Sequence, residues 1–491
     1  MGEKPPTPEQ QEIIDTSRTG EDMVVEAGAG TGKTTTLVQV AKAKPGKRGV
    51  YVAYNKAIAQ DAKSRFPREV QCSTAHGLAF GAVGKRYAHR LDAARVPARE
   101  VARILRINEP LRLSEKILAP PQVARMVMET ITRYCRSASP EPEPWHVPRK
   151  PGLDSDADRE ILRDALVPLA RKAWGDIRSV DGRLRFEHDH YLKMWALSGP
   201  RLPVEYVMLD EAQDANPIIA QIVEGQAHAQ RIMVGDRCQA IYGWNGAVDA
   251  MSKFSGTRRM LTQSFRFGPR VAREANKWLE MLGADLRLKG FDRIRSVLAP
   301  VESPDALLCR TNSTAMAEAM RLMGEGKRVA LVGGGNGIRR LAEAAIQLKA
   351  GAGTDHPELI AFQTWGEVQE YAESDPSGSD LLTFVRLIDE WGPDVVIDAV
   401  DRLVPDPARP SPRRGRRTVT PDVLISTAHK AKGREWDSVK VADDFREPRH
   451  KDEDGRPLDI PADEAMLAYV TVTRAKLTLD RGGLAWIDNW I

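Results

Sequence analysis

"EAGAGTGKTTTL", residues Glu26 to Leu37, follows the short apolar run "MVV" and decides how the rest of the chain is read. Within it, "AGAGTGKT" carries the lysine and hydroxyl of the GxxxxGK[ST] phosphate loop, with Ala27 standing where that pattern opens on glycine. Gly30 and Gly32 let backbone N–H groups turn inward onto phosphate oxygens, and Gly28 and Thr31 complete the loop. A helix starting at Lys33 would add the positive end of its dipole to the same anion site. Lys33 is then the contact to the β- and γ-phosphates and Thr34 a ligand of Mg²⁺. The competing reading, a glycine-rich turn with an incidental lysine, weakens with each further motif.

A phosphate loop that performs hydrolysis also needs a strand-end acid, and "EYVMLDEAQD" provides one after an apolar run. Asp210 is the candidate for the Mg²⁺ water shell, and Glu211 beside it is the candidate base for the attacking water. Read alone, the same residues are an exposed acidic turn. The charge that spreads over the γ-phosphoryl oxygens calls for arginines, and two stand in suggestive context: Arg266 in "LTQSFRF" and Arg474 in "AYVTVTRAKLTL".

Outward from these motifs, short β-rich runs alternate with helical patterns. "MVVEA", "GVYVAY", "EYVMLDEA" and "QRIMVGD" form one series; "DALLCRT", "KRVALVGG", "DVLISTAHK" and "DSVKVADDF" form another. Such alternation predicts an α/β fold with two parallel sheets. Residues 81–200 read as a helical insertion, with "PPQVARMVMETITRYC" as an amphipathic helix and "SPEPEPWHVPRKPG" as a stiff loop. A second insertion, 341–420, ends in "PDPARPSPRRGRRTVTP"; its arginines near 413–417 read either as a solvated linker or as a nucleic-acid contact. The glycines of "VGGGNGIRR" do not complete GxGxxG and read as a tight strand-to-helix turn.

A chain of 491 residues is long enough for several cores. Its net charge of +4 permits a nucleic-acid partner without demanding one. The four cysteines are scattered without a CxxC pair, so neither a zinc site nor a disulfide framework is expected. The opening "MGEKPPTPEQ" has no signal-peptide core, and no apolar run reaches membrane-spanning length, which predicts a soluble protein, cytoplasmic or, in a eukaryote, nuclear.

The motifs, in their order, resemble those of superfamily 1 helicases of the UvrD/Rep type. "PTPEQQEII" is similar to the Q motif, "AGAGTGKT" to motif I, "YNKAIA" to Ia, "STAHGLAF" to Ib and "LDEAQD" to II. "VGDRCQAIYGWNGA" is similar to motif III, "LTQSFRF" to IV, "STAHKAKGREWDSV" to V and "LAYVTVTRA" to VI. The wording of "YNKAIA", "STAHKAKG" and "VADDF" most resembles the F-box DNA helicase branch, although no F-box is visible.

This resemblance implies two RecA-like domains with ATP in the cleft between them: 1–80 with 201–257, and 258–340 with 421–491. The helical accessory domain is then 81–200 and a reduced second one 341–420. Gln10 is implied at the adenine edge, Phe265 stacked on the base, Gln239 as γ-phosphate sensor, Glu435 at the ribose beside Gly433, and Arg266 and Arg474 as arginine fingers. Thr35 stands after motif I where the family commonly has arginine. For single-stranded DNA the implied contacts are Tyr54, Lys56, His76, Trp244, Thr427 and His429, with Trp244 as a stacking platform that reads no sequence. Tyr54 is displaced from the usual aromatic position of motif Ia, where Ala53 stands.

The implied activity is an ATP- and Mg²⁺-dependent DNA helicase moving 3′ to 5′, acting on single-stranded and tailed duplex DNA in repair, recombination or replication. Its partners would be replication or recombination proteins, with no membrane. Two rivals stay open: a single-strand translocase that strips bound proteins without unwinding, and a nucleotide-gated DNA-binding module without hydrolysis.

Overall fold

The computed structural model describes residues 5–91, 93, 96–241, 250–374, 379–408, 419–449 and 459–490. Trp244 and the arginines at 413–417 lie outside the described residues. Among the described residues the fold is α/β, with two six-stranded sheets and a two-stranded ribbon. By their contacts the residues form two compact units, Met1–Ala27 with Gly32–Leu261, and Gly28–Thr31 with Thr262–Ile491.

The first sheet contains β1 (Met23–Ala27), β2 (Gly49–Ala53), β3 (Val70–Thr74), β6 (Tyr206–Leu209), β7 (Gln230–Gly235) and β8 (Thr257–Leu261). Their order is β3-β2-β6-β7-β1-β8, and every neighbouring pair is parallel. Every residue of β1, β2 and β6 is buried, as near-continuous apolar runs covered on both faces require. The edge strand β8, "TRRML", alternates instead between half-buried and exposed positions until Leu261. Ile13, Leu37, Val40, Tyr51, Met208 and Ile232 belong to the apolar cluster around this sheet. The register pairs Tyr51 with Met208 and Met208 with Ile232, so β2, β6 and β7 end side by side and deliver their following loops to one edge.

The helical insertion supplies the helices Ala98–Leu105, Pro120–Arg136, Asp156–Arg178 and His188–Leu197 to the first unit, with the antiparallel ribbon β4 (Leu111–Arg112) and β5 (Ile117–Leu118). Paired prolines open Pro120–Arg136, where missing N–H groups cost nothing. Its apolar face buries Val123, Met126, Val127, Ile131 and Tyr134.

The second sheet contains β9 (Val297–Leu298), β10 (Ala306–Cys309), β11 (Val329–Leu331), β12 (Val423–Thr427), β13 (Trp436–Val441) and β14 (Ala475–Asp480). It is again all parallel, in the order β11-β12-β10-β13-β14-β9. "VGGGNGIRR" forms a turn, with Gly333 and Gly334 at φ 83° and 74°, into the helix Asn336–Lys349. Within the 341–420 insertion, Phe362, Val368, Phe384, Ile388 and Val396 share one apolar cluster with Leu307, Val329 and Ile425 of the sheet. All four cysteines are buried without a disulfide. Among the described residues, no helix is long and apolar enough to cross a membrane.

Candidate active site

The phosphate loop leaves β1 at Ala27 and closes on itself through Thr31, whose Oγ1 donates to the Gly28 carbonyl at 2.9 Å. Gly30 and Gly32 sit at φ 74° and 80°, left-handed values that glycine adopts without strain. Gly32 is the N-cap of the helix Lys33–Lys42 and offers no side-chain cap. The first N–H groups of that helix therefore keep their capacity for an anion.

Lys33 Nζ lies 3.2 Å from Glu211 Oε2. Burial opposes the Lys33 ammonium, but Glu211, Asp236 and Asp210 outweigh it and raise its pKa above the usual lysine value. Thr34 Oγ1 donates to Asp210 Oδ2 at 3.2 Å. Tyr51, fully buried in β2, donates its hydroxyl to the same oxygen at 2.6 Å. The Glu211 backbone N–H donates to Asp210 Oδ1 at 3.0 Å. Burial and the neighbouring Glu211 nonetheless raise the Asp210 pKa. Glu211 itself takes φ 51°, ψ 45°, a left-handed conformation uncommon for a residue with a side chain and a place where strain gathers at functional sites.

A hydrogen-bonded chain runs on from this acid. Gln213 Nε2 donates to Glu211 Oε2 at 2.7 Å, and Gln213 Oε1 accepts the Asp236 N–H at 3.0 Å. Gln239 Nε2 donates to Asp236 Oδ2 at 2.6 Å. Glu26 ties the β1 strand to the same turn, accepting from Arg237 N at 3.0 Å and Arg237 Nε at 2.7 Å. Gln10 is buried, with Nε2 donating to Thr36 Oγ1 at 3.1 Å and Oε1 accepting the Thr7 N–H at 3.0 Å. Thr35 Oγ1 accepts from Arg65 Nη2 at 2.9 Å.

Beside the acids opens a cavity of about 290 Å³, lined by Tyr54, His76, Asp210 and Glu211 among others. Tyr54 is 53% exposed, whereas His76 Nε2 is held 2.8 Å from Asp189 Oδ1. Arg136 Nε donates to Asp189 Oδ2 at 3.0 Å. Lys56 is exposed at the start of the helix Lys56–Arg65, which Asn55 caps by accepting the Ile58 N–H.

In the second unit, Arg266 Nε donates to Glu435 Oε2 at 2.6 Å and Arg266 Nη1 to the Thr473 carbonyl at 3.2 Å. Arg474 is almost wholly buried. Its Nε reaches the Val470 carbonyl at 2.8 Å, Nη1 the Arg434 carbonyl at 3.2 Å and Nη2 the Thr473 Oγ1 at 2.9 Å. Phe265 is 41% exposed, its ring 5.5 Å from that of Phe291. Gly433 takes φ 80° one residue before Arg434. Thr427 caps the turn Ala428–Ala431, and burial with the nearby Arg310 lowers the His429 pKa.

Residues 10–245 match the family described as an AAA domain, and residues 411–480 match the UvrD-like helicase C-terminal domain. Together these matches make the chain similar to the UvrD/Rep-like superfamily 1 helicases. It is 28% identical to "F-box DNA helicase protein 1" of Schizosaccharomyces pombe over 528 aligned positions, covering 96% of this chain and 57% of that protein. With "F-box DNA helicase 1" of Gallus gallus it shares 30% identity over 499 positions, covering 96% of this chain and 48% of that protein. The chain thus spans about half the length of these curated relatives.

Four residues of this site, Tyr51, Gln213, Asp236 and Asp189, were not singled out by the sequence reading. Gln213 and Asp236 stood inside recognised motifs, as "DEAQD" and "VGD". Tyr51 carried a weaker signal, a phenol in the middle of a fully buried strand, which needs a hydrogen-bond partner. Asp189 carried none, because its partners His76 and Arg136 lie 113 and 53 residues away.

Proposed function

We propose that the chain is an ATP-dependent DNA helicase that hydrolyses ATP, translocates 3′ to 5′ on single-stranded DNA and unwinds duplexes, in repair, recombination or replication. The observation that supports this reading most is the cluster of Lys33, Thr34, Asp210 and Glu211, in which Thr34 and Asp210 meet although 176 residues separate them. A buried cation, two carboxylates and uncapped helix N–H groups form the constellation that phosphoryl transfer to water needs.

Lys33 and the loop amides would hold the phosphates, and Glu211 would take a proton from the attacking water. Thr34 Oγ1 and Asp210 Oδ2, 3.2 Å apart, are hard oxygen donors that fit Mg²⁺. Bound there, that ion supplies charge neutralisation on the phosphates. Arg266 and Arg474 are the candidates for the charge developing on the γ-phosphoryl group, and Gln239 for sensing the γ-phosphate. Gln10, Phe265, Gly433 and Glu435 are assigned to the base and ribose. Tyr54, Lys56, His76, Thr427 and His429 are assigned to the DNA strand, and Trp244 joins them from outside the described residues.

The relatives' names support DNA as the substrate. The test is ATP-dependent strand separation on matched duplexes carrying a 3′ or a 5′ single-stranded tail, with Glu211→Gln as control. Selective opening of the 3′-tailed duplex, lost in the variant, is expected. DNA-stimulated hydrolysis without any opening would favour the second reading, a single-strand translocase that strips bound proteins. One observation supports that alternative: the helices of the 341–420 insertion share the apolar cluster of the second sheet.

A further inference from the structure

We infer that Tyr51 is a positioning residue of the ATPase site: its hydroxyl fixes the Asp210 carboxylate in the orientation that presents Oδ2 beside Thr34 for the magnesium water shell. This inference rests on the ATPase reading above.

The geometry is specific. Asp210 follows β6 at the sheet's edge, and Tyr51 comes from the neighbouring strand β2, paired in register with Met208. Paired residues of neighbouring strands share a face and alternation returns every second residue to it, so Tyr51, Met208 and Asp210 project from the same face of the sheet. Its ring packs on Phe66, with centroids 4.7 Å apart, and is wholly buried. The phenol therefore has one well-defined place, and from it the hydroxyl reaches Asp210 Oδ2 at 2.6 Å.

Three donors then divide the carboxylate between them. The Glu211 N–H holds Oδ1 at 3.0 Å, while Tyr51 and Thr34 converge on Oδ2 at 2.6 and 3.2 Å. Thr34 is the group that a metal would recruit, so it cannot also be counted on to anchor Asp210 once the site is loaded. Tyr51 is anchored by packing and can keep its bond. The residue that touches neither phosphate nor metal is thus the one that holds the ligand's second oxygen in line. Groups of this kind, one step behind a metal ligand, typically set its orientation.

Tyr51→Phe keeps the ring and its contact with Phe66 and deletes only the hydroxyl. The experiment is a fluorescence titration of the wild type and this variant with N-methylanthraniloyl-ADP, once with excess Mg²⁺ and once in EDTA, alongside a thermal melt. We expect binding in EDTA to be unchanged, while the gain in affinity conferred by Mg²⁺ falls roughly tenfold. The Mg²⁺ concentration giving half-maximal ATPase should rise in parallel, with activity recovered at high Mg²⁺. A variant with a lower melting temperature and an unaltered Mg²⁺ dependence would overturn the inference, since packing alone would then explain Tyr51. Loss of nucleotide binding by the wild type itself would strike the ATPase reading instead, which separates the two failures.

Discussion

At the edge of the first sheet, Lys33, Thr34, Asp210 and Glu211 meet one another through their side chains, with Lys33 3.2 Å from Glu211 and Thr34 3.2 Å from Asp210. The arginines of the second unit are held differently. Arg474 spends its donors on the Val470 and Arg434 carbonyls and on Thr473, and Arg266 is paired with Glu435. In the first region, polar groups face partners that a phosphate and a cation could replace in kind. In the second, backbone acceptors that no ligand replaces hold Arg474 in place. The difference separates polar groups whose present partners a ligand would displace from polar groups committed to backbone partners, among them Arg474, which would have to release those carbonyls to meet the γ-phosphoryl charge, and each can be tested on its own terms.

The largest expected effect is at Glu211. If its left-handed backbone and its contacts with Lys33 and Gln213 serve proton abstraction, Glu211→Gln should lower ATP turnover by about 10²–10⁴-fold while nucleotide binding persists. Steady-state hydrolysis set against equilibrium nucleotide binding checks this. Turnover at the wild-type rate would place Glu211 among the structural groups and erase the contrast.

Acid should strike the committed groups of the helical insertion. His146 Nδ1 accepts the Glu143 N–H at 2.8 Å, and His190 Nδ1 accepts the Glu187 N–H at 2.9 Å, so each caps a helical turn as the neutral ring. Burial lowers both pKa values to about 4. A folded pKa below the unfolded one means that this stability is complete above about pH 6.5 and is lost as pH falls toward 4, on the order of 3 kcal/mol for each histidine. Thermal melts across that window should show a steep fall in the wild type. In His190→Asn, which keeps an acceptor but cannot take up the proton, the fall should be shallower. Equal slopes would show that protonation of His190 is not what destabilises the acid form.

Arg474 sharpens the other side of the comparison. Arg474→Ala leaves buried carbonyls without their donor and should destabilise the second unit by roughly 1–3 kcal/mol. Arg266→Ala removes a pair whose Glu435 side chain is 46% exposed, and should cost no more than about 1 kcal/mol. Chemical denaturation of both variants decides it, and a reversed ranking would mean that Arg474 is held less firmly than its contacts indicate.

How far the sequence could be read follows the same division. The strands "MVVEA" and "EYVMLDEA" were legible because burial on both faces demands continuous apolar runs. The edge strand "TRRML" and the strand "AKLTLD" were not, because half-exposed strands carry charges that mimic loops. The phosphate loop and its acids were legible as fixed local spacings. What escaped were partners fixed only by the fold: Tyr51 beneath Asp210, and Asp189 between His76 and Arg136. A side chain chosen for a neighbour more than a hundred positions away leaves no local pattern.

The smallest expected effect concerns a residue that belongs to both categories. Gln10 is the candidate for the adenine edge, yet both ends of its amide are engaged, by the Thr7 N–H at 3.0 Å and by Thr36 Oγ1 at 3.1 Å. Thr7 completes a reciprocal capping box by accepting the Gln10 N–H at 3.2 Å. Thr7→Ala deletes that acceptor while leaving the Thr7 N–H and Thr36 to hold the Gln10 amide, so it should cost about 1 kcal/mol of stability and leave nucleotide affinity little changed. Gln10→Ala should lose stability and adenine preference together, measured as the ratio of ATP to GTP affinity. If Thr7→Ala also lowers that ratio, the cap itself aims Gln10, and a group counted as structural serves the nucleotide site.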